Sequence, residues 1–253
     1  FTGACIEDWG INITTRLDDI DCDYVYLKYD RIEGYLKREP SNRKFLLGEF
    51  TQLFQADRSY SKLAVLGQLI NRFEKLLNEF PEGHESLFHD FLKENPILID
   101  VYVGQNNIVS KPRFHYPPGE SPLGKVYVEP DFVIKYAGNK YKLVELEKPG
   151  KHIATKQGQP TSGVNQAAFQ IAEWDDYIRN HIDRIKDEFP GIANNRSYLI
   201  VLGRSDEKSI GAGRDPGRYM RLIASQYSCE VCSYDDLLDK AKQAHSALIA
   251  LSA

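Results

Sequence analysis

Three carboxylates stand at a spacing that could hold a divalent cation. Asp131 follows Pro130 at the head of an apolar run, and Glu145 and Glu147 lie two apart in a second such run. Side chains two apart on a strand face the same side. Ala137-Gly-Asn-Lys140 between the runs reads as a hairpin turn, so the three carboxylates should converge near the strand ends. Without a cation they would repel; a hard divalent ion with oxygen ligands neutralises them. Mg²⁺ in such a site keeps water ligands, lowers the pKa of one into a nucleophile and polarises a phosphate. A single acidic residue on a strand face is ordinarily solvated and idle. The set differs because Leu143-Val-Glu-Leu-Glu147 is otherwise apolar, with Lys148 and Pro149 directly after it.

Basic residues suited to a phosphate backbone lie on expected loops and element ends beside these carboxylates: Lys151, Lys156, Arg204, Lys208, Arg214, Arg218 and Arg221. Each alone reads equally well as solvated surface charge. Arg204 stands out because it follows an apolar strand and Gly203, where α/β sheets place ligand-binding groups. His84, His89 and His152 could carry protons, but each reads first as a polar surface or capping residue. No Gly-x-Ser-x-Gly or phosphate-cradling Gly-Lys-Ser/Thr motif occurs.

The elements that must position these groups follow from hydrophobic period. Lys44 to Phe54 reads as one amphipathic helix after the aromatic run Asp23-Tyr-Val-Tyr-Leu-Lys-Tyr29. Ser61 to Phe80 reads as another, stopped by Pro81 and Gly83, and Glu85 to Asn95 as a third, closed by Pro96. The period then changes. Val126-Tyr-Val128, Asp131 to Tyr136 and Lys140 to Glu147 read as successive strands. A Gly- and Pro-rich loop at 149–163 leads to a helix expected from about Val164 to Asp187. A buried strand at Ser197 to Gly203, a helix near 215–227, a strand at 229–233 and a helix from Tyr234 to Ala250 complete an α/β order.

Composition agrees with a folded chain. It has 253 residues, 42% of them hydrophobic, with 15 Tyr and 12 Phe, which suffices for a full core and excludes disorder. The formal net charge of -4 argues against indiscriminate coating of nucleic acid but not against a site that gathers carboxylates for metal. The four cysteines make no disulfide scaffold, and Cys229 with Cys232 lacks a second pair at zinc spacing. No membrane-length apolar stretch and no leader opens the sequence. A soluble cytoplasmic protein is expected, with an upstream part missing before Phe1.

Pro130-Asp131-Phe, then Leu143-Val-Glu-Leu-Glu-Lys-Pro149, then Gln166-Ala-Ala-Phe-Gln170-Ile-Ala-Glu-Trp174 resemble the PD-(D/E)XK nuclease superfamily, and within it the Shedu anti-phage defence nucleases. Glu85 to Pro96, Ile200 to Arg204 and Tyr234-Asp-Asp-Leu-Leu238 agree with the same family, so the resemblance covers about residues 80–245. It implies a restriction-endonuclease-like α/β core, a mixed central sheet flanked by helices, over residues 81–253. A mostly helical accessory region would occupy residues 1–80. It implies a Mg²⁺-dependent DNA endonuclease in which Mn²⁺ can substitute, double-stranded DNA as substrate, no membrane partner, and a homo-oligomer with a tetramer as the state to test.

Carried over residue by residue, Asp131 and Glu145 are the acidic metal ligands and Glu85 completes the metal site. Gln170, four residues before Trp174, orients a ligand or phosphate. The family's Glu-x-Lys pattern breaks here, because Glu147 stands where the lysine belongs. Glu147 then serves as ligand or general base, and Lys148 holds phosphate or, through a bulge before Pro149, replaces the lysine. Lys151, Lys156 and Arg204 are the expected DNA contacts. The rival reading is a catalytically idle nuclease fold that binds DNA ends or a partner protein; a third differs only in taking RNA.

Overall fold

The computed structural model describes residues 1–7, 20–46, 49–83 and 85–252, the side chains of 51–62, 85, 105 and 252 excepted. The chain divides into two compact units, Phe1–Gln68 and Leu69–Ala253.

In the first unit β1 (Val25–Asp30) and β2 (Gly34–Glu39) form an antiparallel hairpin. Its turn is built by Asp30, whose carboxylate accepts the amides of Ile32 (2.7 Å) and Glu33 (3.0 Å), and by Gly34 at φ +81°. The aromatic run at 23–29 is thus one arm of a hairpin whose return arm sequence reading did not separate. Cys22, Val25 and Phe50 form a small core there.

The two helices expected between Lys44 and Phe80 are one, α1 (Glu49–Glu79). No proline interrupts the stretch between them, and a single Gly67 costs a helix only about 1 kcal/mol. Residues 47 and 48 of the expected first helix lie outside the described residues.

The second unit carries a five-stranded mixed sheet in the order β3-β6-β7-β8-β9. Its strands are β3 (Ile108–Ser110), β6 (Phe132–Tyr136), β7 (Lys140–Leu146), β8 (Arg196–Val201) and β9 (Glu230–Cys232). The pairs β3/β6 and β6/β7 are antiparallel, β7/β8 and β8/β9 parallel. Tyr127–Val128, expected as a strand of the run, is β5 and pairs with β4 (Phe114–His115) in a separate two-stranded ribbon. The β6/β7 hairpin turns where sequence placed it, with Gly138 at φ +72° and Asn139 at φ +55°.

Strand alternation divides the core. Val133, Tyr141, Leu143, Tyr198 and Ile200 face one helical layer made chiefly by α3 (Ser162–Asn180), through Val164, Ala167, Ile171, Trp174, Tyr177 and Ile178. Met220 and Ile223 of α5 (Pro216–Tyr227) join it. On the opposite side Phe132 stacks on His89 of α2 (Glu85–Glu94), while Phe73 of α1 and Phe88 of α2 pack on Tyr234 of α6 (Tyr234–Ser252). Here Ser233 and Asp236 cap α6 reciprocally: Asp236 accepts the Ser233 amide at 2.7 Å and Ser233 Oγ accepts the Asp236 amide at 3.1 Å.

The helix expected to reach Asp187 ends at Asn180, followed by a 3₁₀ turn at Ile182–Arg184. The apolar residues beyond that turn, Ile185 and Phe189, are drawn into the core, which a straight continuation would not allow. No helix of the described residues is long and apolar enough to cross a membrane.

The α3 layer is also stitched to β8 by charge. Asp175 receives Arg196 Nε at 2.8 Å and the Tyr198 hydroxyl at 2.6 Å. Burial pushes the Asp175 carboxyl up, but the Tyr198 and Arg196 hydrogen bonds outweigh it and hold it below the ordinary carboxylate range.

Two outcomes follow for stability. Trp174→Ala, which empties a fully buried site on α3, should lower unfolding free energy by about 3–5 kcal/mol in urea titrations. Asp175→Asn should be less stable than wild type at pH 7. Because the folded carboxyl titrates below its unfolded value, that stabilisation is complete above the unfolded pKa and fades as pH falls through the folded one. The gap between the unfolding curves of the two proteins should therefore be smaller at pH 3 than at pH 7.

Candidate active site

Pro130 is buried and cannot donate to a ladder, so β6 starts only at Phe132. Asp131 fills the place left beside β7: its Oδ2 accepts the Leu146 amide at 2.8 Å, a bond a backbone carbonyl would otherwise supply. The last β6/β7 pair is Phe132 with Val144; one step on, Asp131 stands opposite Glu145. Glu145 and Glu147 continue the row of Tyr141 and Leu143 and so point to the α3 side of the sheet. Both are buried, at 6% and 4% exposure. The Glu147 amide donates to the Val201 carbonyl at 2.8 Å, which extends the parallel ladder and holds the alternation to that point.

Lys148 therefore turns to the other side, where it is exposed; no bulge brings it to Glu147. The ammonium that meets Glu147 is Lys151, paired with its Oε2. Three glycines hold the lysine's segment. A Cβ on Gly203, at φ +64°, would lie 2.7 Å from the Lys151 carbonyl, one on Gly150 2.6 Å from the Glu82 backbone, and one on Gly163 3.0 Å from Lys151 Cδ. The segment continues as a pinned loop, with Ile153 fully buried and donating to Ser209 O (2.8 Å), and Thr161 Oγ1 donating to His152 O (2.7 Å).

His89 departs from its expected place at the surface. It is 5% exposed, with Nε2 lying 3.5 Å from Asp131 Oδ1. Burial, with the Lys111 charge second, pushes its pKa down, so the ring is neutral at pH 7. Its position could have been found from the helix spacing, since it lies one turn after Glu85 on α2. The side chain of Glu85, and His84 altogether, lie outside the described residues. Gln170 is half-buried on α3, one turn before Trp174.

The other basic candidates have separate fates. Arg204 is held within the fold: Nε and Nη2 grip Asp235 at 2.8–3.0 Å and Nη1 donates to Leu77 O at 2.9 Å. Arg214 donates to the carbonyls of Ile210 (2.7 Å), Lys156 (2.9 Å) and Thr155 (3.1 Å), which clamps the loop. Lys208 pairs with Glu82. Lys156, Arg218 and Arg221 are exposed.

Among the described residues no three His, Cys, Asp or Glu side chains are grouped so as to hold a metal ion. Asp131 stands opposite Glu145 in the strand register, and Glu147 pairs with Lys151. A cation at this place would draw on the first two, with Glu147 recruited from its lysine.

The family described as Shedu protein SduA, C-terminal, matches residues 82–238, which contain every site residue named above. No curated protein matches the chain.

Gly203→Ala should test how tightly the lysine's segment is built. The left-handed backbone and the contact with Lys151 O together predict a loss of about 2 kcal/mol or more in chemical denaturation, whereas Gly138→Ala, with no neighbour within 4 Å, should lose only the conformational part, about 1 kcal/mol.

Proposed function

The chain belongs to the family of the Shedu protein SduA C-terminal region, and from that premise we propose that it is a metal-dependent DNA endonuclease of anti-phage defence with a PD-(D/E)XK site. The observation that carries this reading is the pair of buried glutamates on one face of β7, directly beside Asp131. Buried glutamates are rare unless paired or ligating, and a five-stranded sheet needs neither of them for packing.

The donor set fits a hard cation, since it offers carboxylate oxygens at buried strand ends, the chemistry Mg²⁺ takes and Mn²⁺ shares. Asp131 and Glu145 would hold the ion, with Glu85 on α2 completing the site. Bound there, Mg²⁺ supplies charge neutralisation and Lewis acidity at the phosphate. Asp131 is oriented by the Leu146 amide, so one of its oxygens is fixed before any ligand arrives. Glu147 is placed to ligate or to take a proton from the attacking water. Gln170 orients ligand or phosphate from α3, and exposed Lys148 and Lys156 meet the backbone outside. Arg204, already bound to Asp235 and Leu77, supports the fold. Double-stranded DNA as substrate and a homo-oligomeric state are part of this proposal.

The Lys151–Glu147 ion pair favours a second reading, a nuclease fold that binds DNA ends or a partner protein, because it neutralises one carboxylate without metal. Cleavage of linear and supercoiled plasmid separates the two. Wild type should cut with Mg²⁺ or Mn²⁺ and not with EDTA, and Glu145→Ala should cut about 10²-fold more slowly or less. Wild type inert on both DNA and RNA in every metal would move the assignment to the binding module.

A further inference from the structure

The Glu-x-Glu sequence leaves the site without a lysine in the strand, yet the fold brings one in from the crossover loop. We propose that Lys151 is the positioning residue of this site: its ammonium holds Glu147 against the α3 side and sets how strongly the carboxylates attract a cation. The inference rests on the nuclease reading of the same carboxylates.

Three observations support it. First, the pair is sheltered, with side-chain exposures of 24% for Lys151 and 5% for Glu147, so solvent screens it less than a surface pair. Second, the lysine has little freedom. Its carbonyl lies where Gly203 alone leaves room, and its Cδ lies against Gly163 in the first turn of α3. A lysine of merely decorative function needs no such channel. Third, Lys148, the other claimant, is exposed, and strand alternation turns it away from the face of Glu145 and Glu147.

A positive charge fixed beside a carboxylate cluster lowers the local affinity for a divalent cation, and it keeps Glu147 aimed. Removing it should therefore move binding and turnover in opposite directions. A residue that only stabilised the fold would lower both or neither.

The experiment compares wild type, Lys151→Met, Lys151→Arg, Lys148→Met and Gly163→Leu by calorimetric titration with Mg²⁺ and Mn²⁺ and by plasmid cleavage. Lys151→Met should bind metal roughly tenfold more tightly and cut about 10²-fold more slowly. Lys151→Arg should keep wild-type metal affinity, and Lys148→Met should leave metal affinity within threefold of wild type. Gly163→Leu fills the lysine's channel without removing its charge and stands in should Lys151→Met fail to fold; it should shift both quantities in the same directions as Lys151→Met. The inference is overturned if wild type binds metal and cuts while Lys151→Met and Gly163→Leu match it, or if the rise in metal affinity appears in Lys148→Met instead. If wild type neither binds metal nor cuts, the nuclease reading fails first and this inference fails with it.

Discussion

A carboxylate taken out of water loses several kcal/mol of hydration unless donors or a cation replace it, and β7 takes two glutamates out of water on one face within three residues. Much of the surrounding structure can be understood as compensation for that placement. The hairpin sets Asp131 opposite Glu145, and the Leu146 amide engages the aspartate. The crossover loop returns a lysine to Glu147, and glycines thin the backbone where the loop must press close. An apolar pair at 145 and 147 would have needed none of this. Arg204 is likewise engaged within the fold, joining β8, α6 and the end of α1 through Asp235 and Leu77.

Much of this was legible in the sequence, for reasons that can be named. The period-two runs, the Gly138-Asn139 turn and the Pro130-Asp131 strand start fixed β6 and β7 and their mutual direction. Helix α5 was readable from Asp215 followed by Pro216, a cap and a first-turn proline, and the structure shows that cap accepting the Arg218 amide at 2.9 Å. Strand β3 was not legible, because three residues of intermediate burial carry no period. The end of α3 was overshot because Ile182, Ile185 and Phe189 keep an apolar spacing while the chain bends to bury them.

At the site, type and spacing placed Asp131 opposite Glu145 in the strand register but did not show which cation answers Glu147. Lys148 neighbours Glu147 in sequence and Lys151 does not, yet strand alternation sends the first away and a tight loop brings the second back. That exchange depends on Gly203, more than fifty residues downstream, leaving space for the Lys151 carbonyl. His89 shows the same limit. Its spacing from Glu85 was visible, but its burial against Phe132 depends on the packing of α2 across the sheet.

The mixed character of the sheet bears on the order in which the site is assembled. Asp131 and Glu145 are joined by a tight hairpin, whose contacts are local and close quickly, whereas the β7/β8 pairing and the glycine beside Lys151 arrive only when a long crossover has wound back. The acidic half of the site is thus expected to form while still hydrated, and the step that docks the crossover both dehydrates the glutamates and delivers their counter-charge. Coupling those two events spares the folding chain any stage at which bare carboxylates sit in a dry interior.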